Sequence, residues 1–479
     1  MGILDSFFNL INDLTWGWAL IPFLVVLGVF FTLVSDFVQI RFFRRMFAVL
    51  KGDPEARKQG HVSSREALLV SVGGRVGGGN IAGVAVAITV GGPGAVFWMW
   101  MIALVGMATS LIECLLAQTF KEAQSDGTYR GGPARYITQG LGPEFRWLAV
   151  VYSICLIAAF ALGFNAFQGN TVAGAFEESL GTPRLYTGVL LAGIAGLVVY
   201  GGIRRIARVA DVIIPIMAIG YLGMAAIVVL INILHVPAMI IDIVANAFGL
   251  REAVAGGMGA AIAQGLRRGL FSNEAGLGSA PNVAAVAYVP HPVSQGIVQS
   301  LSVFIDTIII CSCTAFMILL SDVYQPGAED MDGVVLTQQA LASHVGGWSS
   351  YFLTAAVLLF SFSSIIYNYY LGENALSFLT GNPMALHGLR ILVIVLVFFG
   401  ANAPDALYVF NFSDPMMGVL ALVNLVALAM LFPTAMRVLK DYRAQLAAGR
   451  EPVFDPEAFP DLALDKAAWT DAGEDIRRD

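Results

Sequence analysis

Charge is scarce in this chain. Only 13% of its 479 residues are Asp, Glu, Lys or Arg, about half of what a soluble domain carries, which excludes an ordinary soluble enzyme. Cysteine is rare, and Cys114, Cys155, Cys311 and Cys313 all fall inside apolar runs. They give neither a disulfide framework nor a CxxC metal site and read as small buried residues. The histidines (His61, His235, His291, His344 and His387) lie in or beside loops, and neither HExxH nor GxSxG occurs. An intramembrane hydrolase therefore has no motif to stand on. No basic patch is interleaved with aromatics, so nothing points to nucleic acid. The N-terminus lacks the basic region of a signal peptide, and the first apolar stretch, 16–40, is too long for a signal core and reads as a retained helix.

What is present is apolar length. Hydrophobic residues make up 57% of the chain and mean hydropathy is +0.74, the composition of a polytopic membrane protein. Eleven runs are long enough to span about 30 Å of hydrocarbon: 16–40, 67–95, 96–119, 147–173, 185–202, 209–231, 253–277, 293–320, 351–376, 388–403 and 406–432. Every Lys and Arg except Arg75, Arg184 and Arg251 falls on one side of this arrangement. The positive-inside rule then puts the N-terminus outside and the C-terminus in the cytoplasm. The outer loops, 322–332 among them, are acidic or neutral, and 449–479 reads as a polar cytoplasmic tail without chemistry of its own.

The chain is organised around 71–93, SVGGRVGGGNIAGVAVAITVGGP. Gly73, Gly74, Gly77, Gly78 and Gly79 precede Asn80, and each interior glycine costs a helix about 1 kcal/mol relative to Ala. A helix break is expected there, although a glycine face for close helix packing is the alternative. Inside a bilayer a break persists only where its freed N–H and C=O groups meet protein, water or a ligand. Such ends offer N–H groups to an anion and carbonyls to a cation. The seventh span, with AGGMGAAIAQGLRRGLFSNEAGLGSAP, is the other glycine-interrupted one. Setting the first span aside leaves ten, which divide five and five, and the interrupted spans open the two halves in opposite orientation. That is the pattern of an inverted-repeat transporter with its site between the halves. The expected divisions are 1–66 (first span and basic loop), 67–232 (first repeat), 233–440 (second repeat) and 441–479 (tail).

The runs GNIAGVAVAI, GGPGAVFWMW, RGLFSNEAGLGSAP and VFIDTIII closely resemble the alanine or glycine:cation symporter family, over residues 16–440. The resemblance implies the five-plus-five inverted-repeat, leucine-transporter-like fold of the amino acid–polyamine–cation superfamily. It also implies sodium-coupled import of a small neutral amino acid across a prokaryotic cytoplasmic membrane, with sodium as co-transported ion and no cofactor. Proton coupling, or a channel or receptor on the same scaffold, are the alternatives.

Asn80 offers two donors and an acceptor, suited to a substrate carboxylate beside the N–H groups of Gly78 and Gly79; capping the following half-helix is its other role. Gln168, in the run 164–168, matches a substrate-contacting Gln of the family, and an interhelical bond is its alternative. With Gly77, Gly257, Phe271, Ser364 and Asn368 these residues form the expected substrate site. Ser361, Ser363 and Ser364 place three hydroxyls about a turn apart. By resemblance, Ser363 and Ser364 hold sodium with backbone carbonyls at Gly77, Asn80 and Phe360, whereas serines also back-bond to their own helix. Of the membrane acids Glu113, Glu274, Asp306 and Asp414, Asp306 lies close to mid-bilayer and has to be neutral, paired or beside water. Arg75 facing Glu274 or Glu66 would make an inner gate, and snorkelling to the cytoplasm is its alternative. Two positions depart from the family: Gly78 stands where a Thr is common, and Tyr367-Asn368 where Gly-Trp is frequent. Losing a hydroxyl and an indole enlarges the pocket and makes it more polar.

Overall fold

The computed structural model describes residues 10, 13–51, 61–250, 257–324, 333–403 and 406–469; Arg251 and most of the 322–332 loop lie outside them. In chain order the main helices are α1 (Asp13–Val34), α2 (Ser64–Arg75), α3 (Gly79–Gly91), α4 (Gly94–Thr119), α5 (Pro143–Leu180), α6 (Arg184–Val199) and α7 (Ile203–Ile231). They continue as α8 (Val236–Ala247), α9 (Gly257–Asn273), α10 (Pro292–Leu319), α11 (Gly333–Val345), α12 (Trp348–Leu379), α13 (Pro383–Asn402) and α14 (Ser413–Ala447). The protein is a predominantly helical polytopic membrane protein, with one short antiparallel strand pair at Glu122–Ala123 and Tyr129–Arg130. Among the described residues eight helices are long and apolar enough to cross a bilayer, and the bent pair α2–α3 makes a ninth.

Two of the eleven expected spans fall short of that standard. At 185–202 the helix α6 is apolar but holds 16 residues, about 24 Å at the α-helical rise. At 253–277 the helix α9 carries Arg267 and Arg268 in its second half. The first span also stops early: the chain turns at Asp36 and Phe37, both with positive φ, so the helix ends at Val34 rather than near residue 40.

α2 starts at a reciprocal capping box, with Ser63 Oγ accepting from the Glu66 N–H at 3.2 Å and Glu66 Oε2 from the Ser63 N–H at 2.9 Å, which satisfies two orphan donors. α2 and α3 meet at 54°, with Val76 extended between them. The glycine knot is therefore a break and not a packing ridge. α4 packs against α9 and α10, and α5 against α12 and α13, so two helical groups flank the bent pair. Small residues set the closest crossings. Gly265 and Gly269 of α9 lie against Ala95, Met99 and Ile102 of α4. Gly169 of α5 abuts the backbone of Val397 and Ala401 in α13, and Gly400 that of Ala166, while Asn170 Nδ2 donates to the carbonyls of Gly400 (3.2 Å) and Ala403 (2.8 Å). Close backbone approach of this kind is how helices associate where lipid removes the hydrophobic driving force. Outward faces carry exposed Val26, Leu33, Ile216, Ile219 and Leu230, apolar surface that suits lipid.

The second break lies at 274–278, where Glu274, Gly276 and Gly278 all have positive φ; α9 itself is continuous. Glu113 of α4 holds this turn. One carboxylate oxygen accepts from Gly276 N–H at 3.2 Å, the other from Gly278 N–H at 3.2 Å and from Asn424 Nδ2 at 3.1 Å. Asn424 also donates to Gly276 O at 2.9 Å and Tyr152 OH to Gly278 O at 2.8 Å.

The polar tail is folded back on the bundle. Gln445 and Val453 exchange two bonds, Phe454 N–H donates to Pro290 O at 2.9 Å, and Ala123 N–H donates to Asp465 at 2.9 Å. Trp469 and Tyr129 cover the ammonium of Lys121 at 4.2 and 4.3 Å. Burial pulls this lysine, just beyond α4, down to a pKa of about 7, as removal from water disfavours the charged form.

Glu113→Ala removes the acceptor for two buried N–H groups and an amide, at about 1–3 kcal/mol for each unsatisfied group. The variant should show a markedly lowered thermal unfolding midpoint in detergent, and Glu113→Gln a smaller loss. An unchanged midpoint for Glu113→Ala would show that the turn holds without it.

Candidate binding site at the two helix breaks

Freed backbone groups at the first break are met by side chains from four helices. Gly77 N–H donates to Asn80 Oδ1 at 3.0 Å, and Gly78 N–H to Gln168 Oε1 of α5 at 3.1 Å. The Asn80 carbonyl accepts from Thr314 Oγ1 of α10 at 2.8 Å. Its amide nitrogen donates to Ser272 Oγ of α9 at 2.9 Å and to Asp306 Oδ1 of α10 at 2.6 Å. Asp306 further accepts from Ser272 Oγ at 2.6 Å and Thr307 Oγ1 at 2.8 Å. Asn80 is thus turned into the protein as a connector between α3, α9 and α10; it lies inside α3 and its side chain does not cap that helix. A fully buried carboxyl with three donors is a satisfied group of the kind burial demands.

The serines of α12 meet one carbonyl that was expected, at Phe360, and two that were not, at Gly73 and Gly74. Ser363 Oγ donates to Gly73 O at 2.6 Å and Phe360 O at 2.8 Å, and Ser364 Oγ to Gly74 O at 2.8 Å. The expected Gly77 and Asn80 carbonyls are engaged elsewhere, Gly77 O by Asn80 N–H at 3.2 Å and Asn80 O by Thr314. Five neutral oxygens therefore gather beside the C-terminal turn of α2, where half-helix carbonyls also point. Such a donor set suits a hard monovalent cation more than a transition metal, which takes N and S ligands.

Between the breaks lies a cavity of about 20 Å³, lined by Gly74, Arg75, Gly79, Phe164, Gln168, Phe271, Glu274 and Asn368. It has room for about one water, so in this conformation the site is closed down. Phe271 faces Gly79, 3.0 Å from where a side chain there would begin, and packs edge-on to Phe164 with centroids 4.9 Å apart. Gly78 faces Thr171 Oγ1 at 3.0 Å on the same construction. Asn368 Nδ2 donates to Asn165 Oδ1 at 3.2 Å. Tyr367 does not enter this space: its ring lies against Gly74, and its hydroxyl donates to Glu274 Oε2 at 3.0 Å.

Gly257 is not among these residues. It begins α9, four turns from Phe271 and roughly 20 Å away along the axis, because the break falls at 274–278 and not at the Gly256-Gly257 pair. Glu66 is occupied with Ser63 at the far end of α2, leaving Glu274 as the acid that shares the cavity with Arg75. Residues that the sequence did not single out are Ser272, Thr314 and Thr171. Their one signal was a hydroxyl in an apolar run, which is common and nonspecific.

A sequence model of the sodium:alanine symporter family matches residues 1–456. The chain belongs to the sodium:alanine symporter family. Within it, the chain is 43% identical over 453 residues to the probable sodium/glutamine symporter GlnT of Bacillus subtilis strain 168, covering 94% of this chain and 93% of the relative. It is 44% identical over 472 residues to the amino-acid carrier protein AlsT of the same organism, covering 98% and 99%. A third relative, 33% identical over 415 residues and covering 83% and 92%, is the sodium/proton-dependent alanine carrier protein of Bacillus sp. strain PS3. Among solved structures, an Eremococcus coleocola manganese transporter aligns over 82% of this chain and 81% of its own, at 14% identity and a TM-score of 0.47. This symporter-family chain is thus a membrane transporter and not an enzyme.

The Asn80–Asp306 bond joins the first break to α10, so the two residues should not act independently. A double-mutant cycle of Asn80→Ala and Asp306→Ala on detergent-solubilised protein should give a coupling energy of about 0.5–3 kcal/mol. Additivity within ~0.3 kcal/mol would mean that the bond contributes nothing.

Proposed function

We propose that the protein imports a small neutral amino acid together with sodium, by alternating access, across the cell membrane. The observation that carries this reading is the closed cavity between two helix breaks, with five neutral oxygens beside it at Gly73, Gly74, Phe360, Ser363 and Ser364. The cavity would take the amino acid, with Gly77, Gly78, Gly79, Gln168, Phe271, Ser364 and Asn368 around it, and the oxygen cluster would take the cation. The names of the relatives, a probable sodium/glutamine symporter and a sodium/proton-dependent alanine carrier, support sodium and leave protons as the second coupling ion to test. Asp306 argues against a proton relay, since all three of its bonds are to fixed donors.

The reading includes eleven spans, one N-terminal helix followed by two oppositely oriented sets of five, at 67–232 and 233–440. It puts the N-terminus outside and the C-terminus inside, which the one-sided distribution of Lys and Arg supports. For the substrate, the side chains at the departures favour size and polarity. Tyr367 lies on Gly74 instead of filling the volume a Trp at 368 would occupy, and Asn368 borders the cavity. A larger or more polar neutral amino acid such as serine, threonine or glutamine should therefore be taken at least as well as alanine.

Uptake of labelled alanine into proteoliposomes should vanish when the sodium gradient is collapsed and persist when only the proton gradient is. In Ser363→Ala/Ser364→Ala the sodium concentration for half-maximal uptake should rise roughly 5- to 150-fold, the equivalent of about 1–3 kcal/mol for lost ligands. Unchanged sodium dependence in a well-folded double variant removes these serines from the ion site. If alanine and glycine alone compete for uptake, and Asn368→Trp leaves the ranking unaltered, the enlarged pocket is wrong.

A further inference from the structure

Arg75 is 3% exposed and borders the cavity, yet one edge of its guanidinium is unused. Nη1 donates to Ser302 Oγ, while Nε and Nη2 have no partner among the described residues. These two groups form the flat edge of the fork that matches a carboxylate with two parallel bonds. Leaving buried donors of a charged group unmade is costly, so the edge calls for an acceptor.

The buried acids nearby do not supply one. Arg75 acts electrostatically on Glu113, Glu274 and Asp306, but each has donors of its own and none forms an ion pair with it. Glu113 is taken by Gly276, Gly278 and Asn424, and Asp306 by Asn80, Ser272 and Thr307. Glu274 receives Tyr367 OH and Ser279 Oγ, both on Oε2, which leaves Oε1 without a bond among the described residues. The N–H groups of Gly77 and Gly78 are spent on Asn80 and Gln168. Gln168, with Oε1 engaged, keeps its Nε2 donor.

We propose that Arg75 and Glu274 are the two ends of a zwitterion clamp: the Nε/Nη2 edge of Arg75, helped by Gln168 Nε2, receives the α-carboxylate of the substrate, and Glu274 Oε1 receives its α-ammonium. This rests on the reading of the cavity as an amino-acid site. A zwitterion fits where a net charge would not, because it completes a donor edge and an acceptor edge together and adds no charge to a water-poor cavity. The clamp reads the groups common to all α-amino acids, so side-chain preference is left to Phe164, Phe271 and Asn368.

The test uses the full-length chain in proteoliposomes, with labelled alanine, serine and glutamine. If the wild type takes up none of them, the amino-acid reading itself fails. If it takes up any, alaninamide and lactate, which each lack one charge of alanine, should compete at least tenfold more weakly than alanine does. Arg75→Gln should weaken all three amino acids alike, roughly 10- to 100-fold, and should abolish the preference for alanine over alaninamide. Arg75→Lys should recover part of the loss, since it restores charge without the fork. Glu274→Gln should abolish the preference for alanine over lactate. A merely structural arginine would lower uptake without erasing these preferences. Tight competition by alaninamide or lactate in the wild type overturns the clamp whether or not the variants fold. A loss in Arg75→Gln confined to glutamine overturns it too, because Arg75 would then be reading a side chain.

Discussion

A polypeptide in hydrocarbon has no water to satisfy its backbone, and everything around the site follows from that constraint. Each helix break strands N–H and C=O groups, and each has been given partners from distant sequence. The first break draws on Gln168, Thr314, Ser363 and Ser364; the second on Glu113, Asn424 and Tyr152. Both breaks are therefore defined less by their own glycines than by polar side chains of helices 90 to 291 positions away. Those helices are held in register because the breaks need them.

This explains which parts could be read from the chain itself. The glycine knot before Asn80, and the polar residues 165 and 168 in an otherwise apolar run, marked the first break and one of its walls. Apolar runs marked where most helices lie, but not their ends: the first stops early at Asp36 and Phe37, the last runs on to Ala447, and 185–202 and 253–277 hold helices of only 16 and 17 residues. The second break was less legible. Glycines occur at 256, 257 and 259 and again at 276 and 278, and composition treats these groups alike. The backbone separates them: Gly257, itself at positive φ, opens a helix that runs unbroken to Asn273, whereas Glu274, Gly276 and Gly278 turn the chain away from helix. That is why composition places Gly257 beside the site, although it does not line the cavity.

Side-chain direction was legible least of all. Asn80 sits at the right place to meet a substrate, but its amide is committed inward, to Asp306 and Ser272. Of the expected carbonyl ligands the serines touch Phe360; those at Gly77 and Asn80 lie past the break, and the serines reach Gly73 and Gly74 before it instead. Helical spacing fixes which residues share a face to about a turn, and a difference of one turn separates a ligand from a bystander. The tail gave a clearer sign than its polarity implied. Phe454, Phe459 and Trp469 punctuate it: Phe454 packs against the other two, and Trp469 covers Lys121.

The crossing of α5 and α13 has a mechanical consequence. At Gly169 and Gly400 the two backbones touch without side chains between them, and Asn170 pins the contact to two carbonyls. Such a contact has little play: there are no rotamers to absorb a slide, and a shift breaks both hydrogen bonds of the Asn170 amide. Gln168 is the immediate neighbour of Gly169, so its place is referenced to α13. It forms a stationary wall of the cavity. Changes in the volume of the cavity then fall to its other side, where Asn80 joins the bent pair to Ser272 and Asp306 and Glu274 is held by Tyr367 and Ser279.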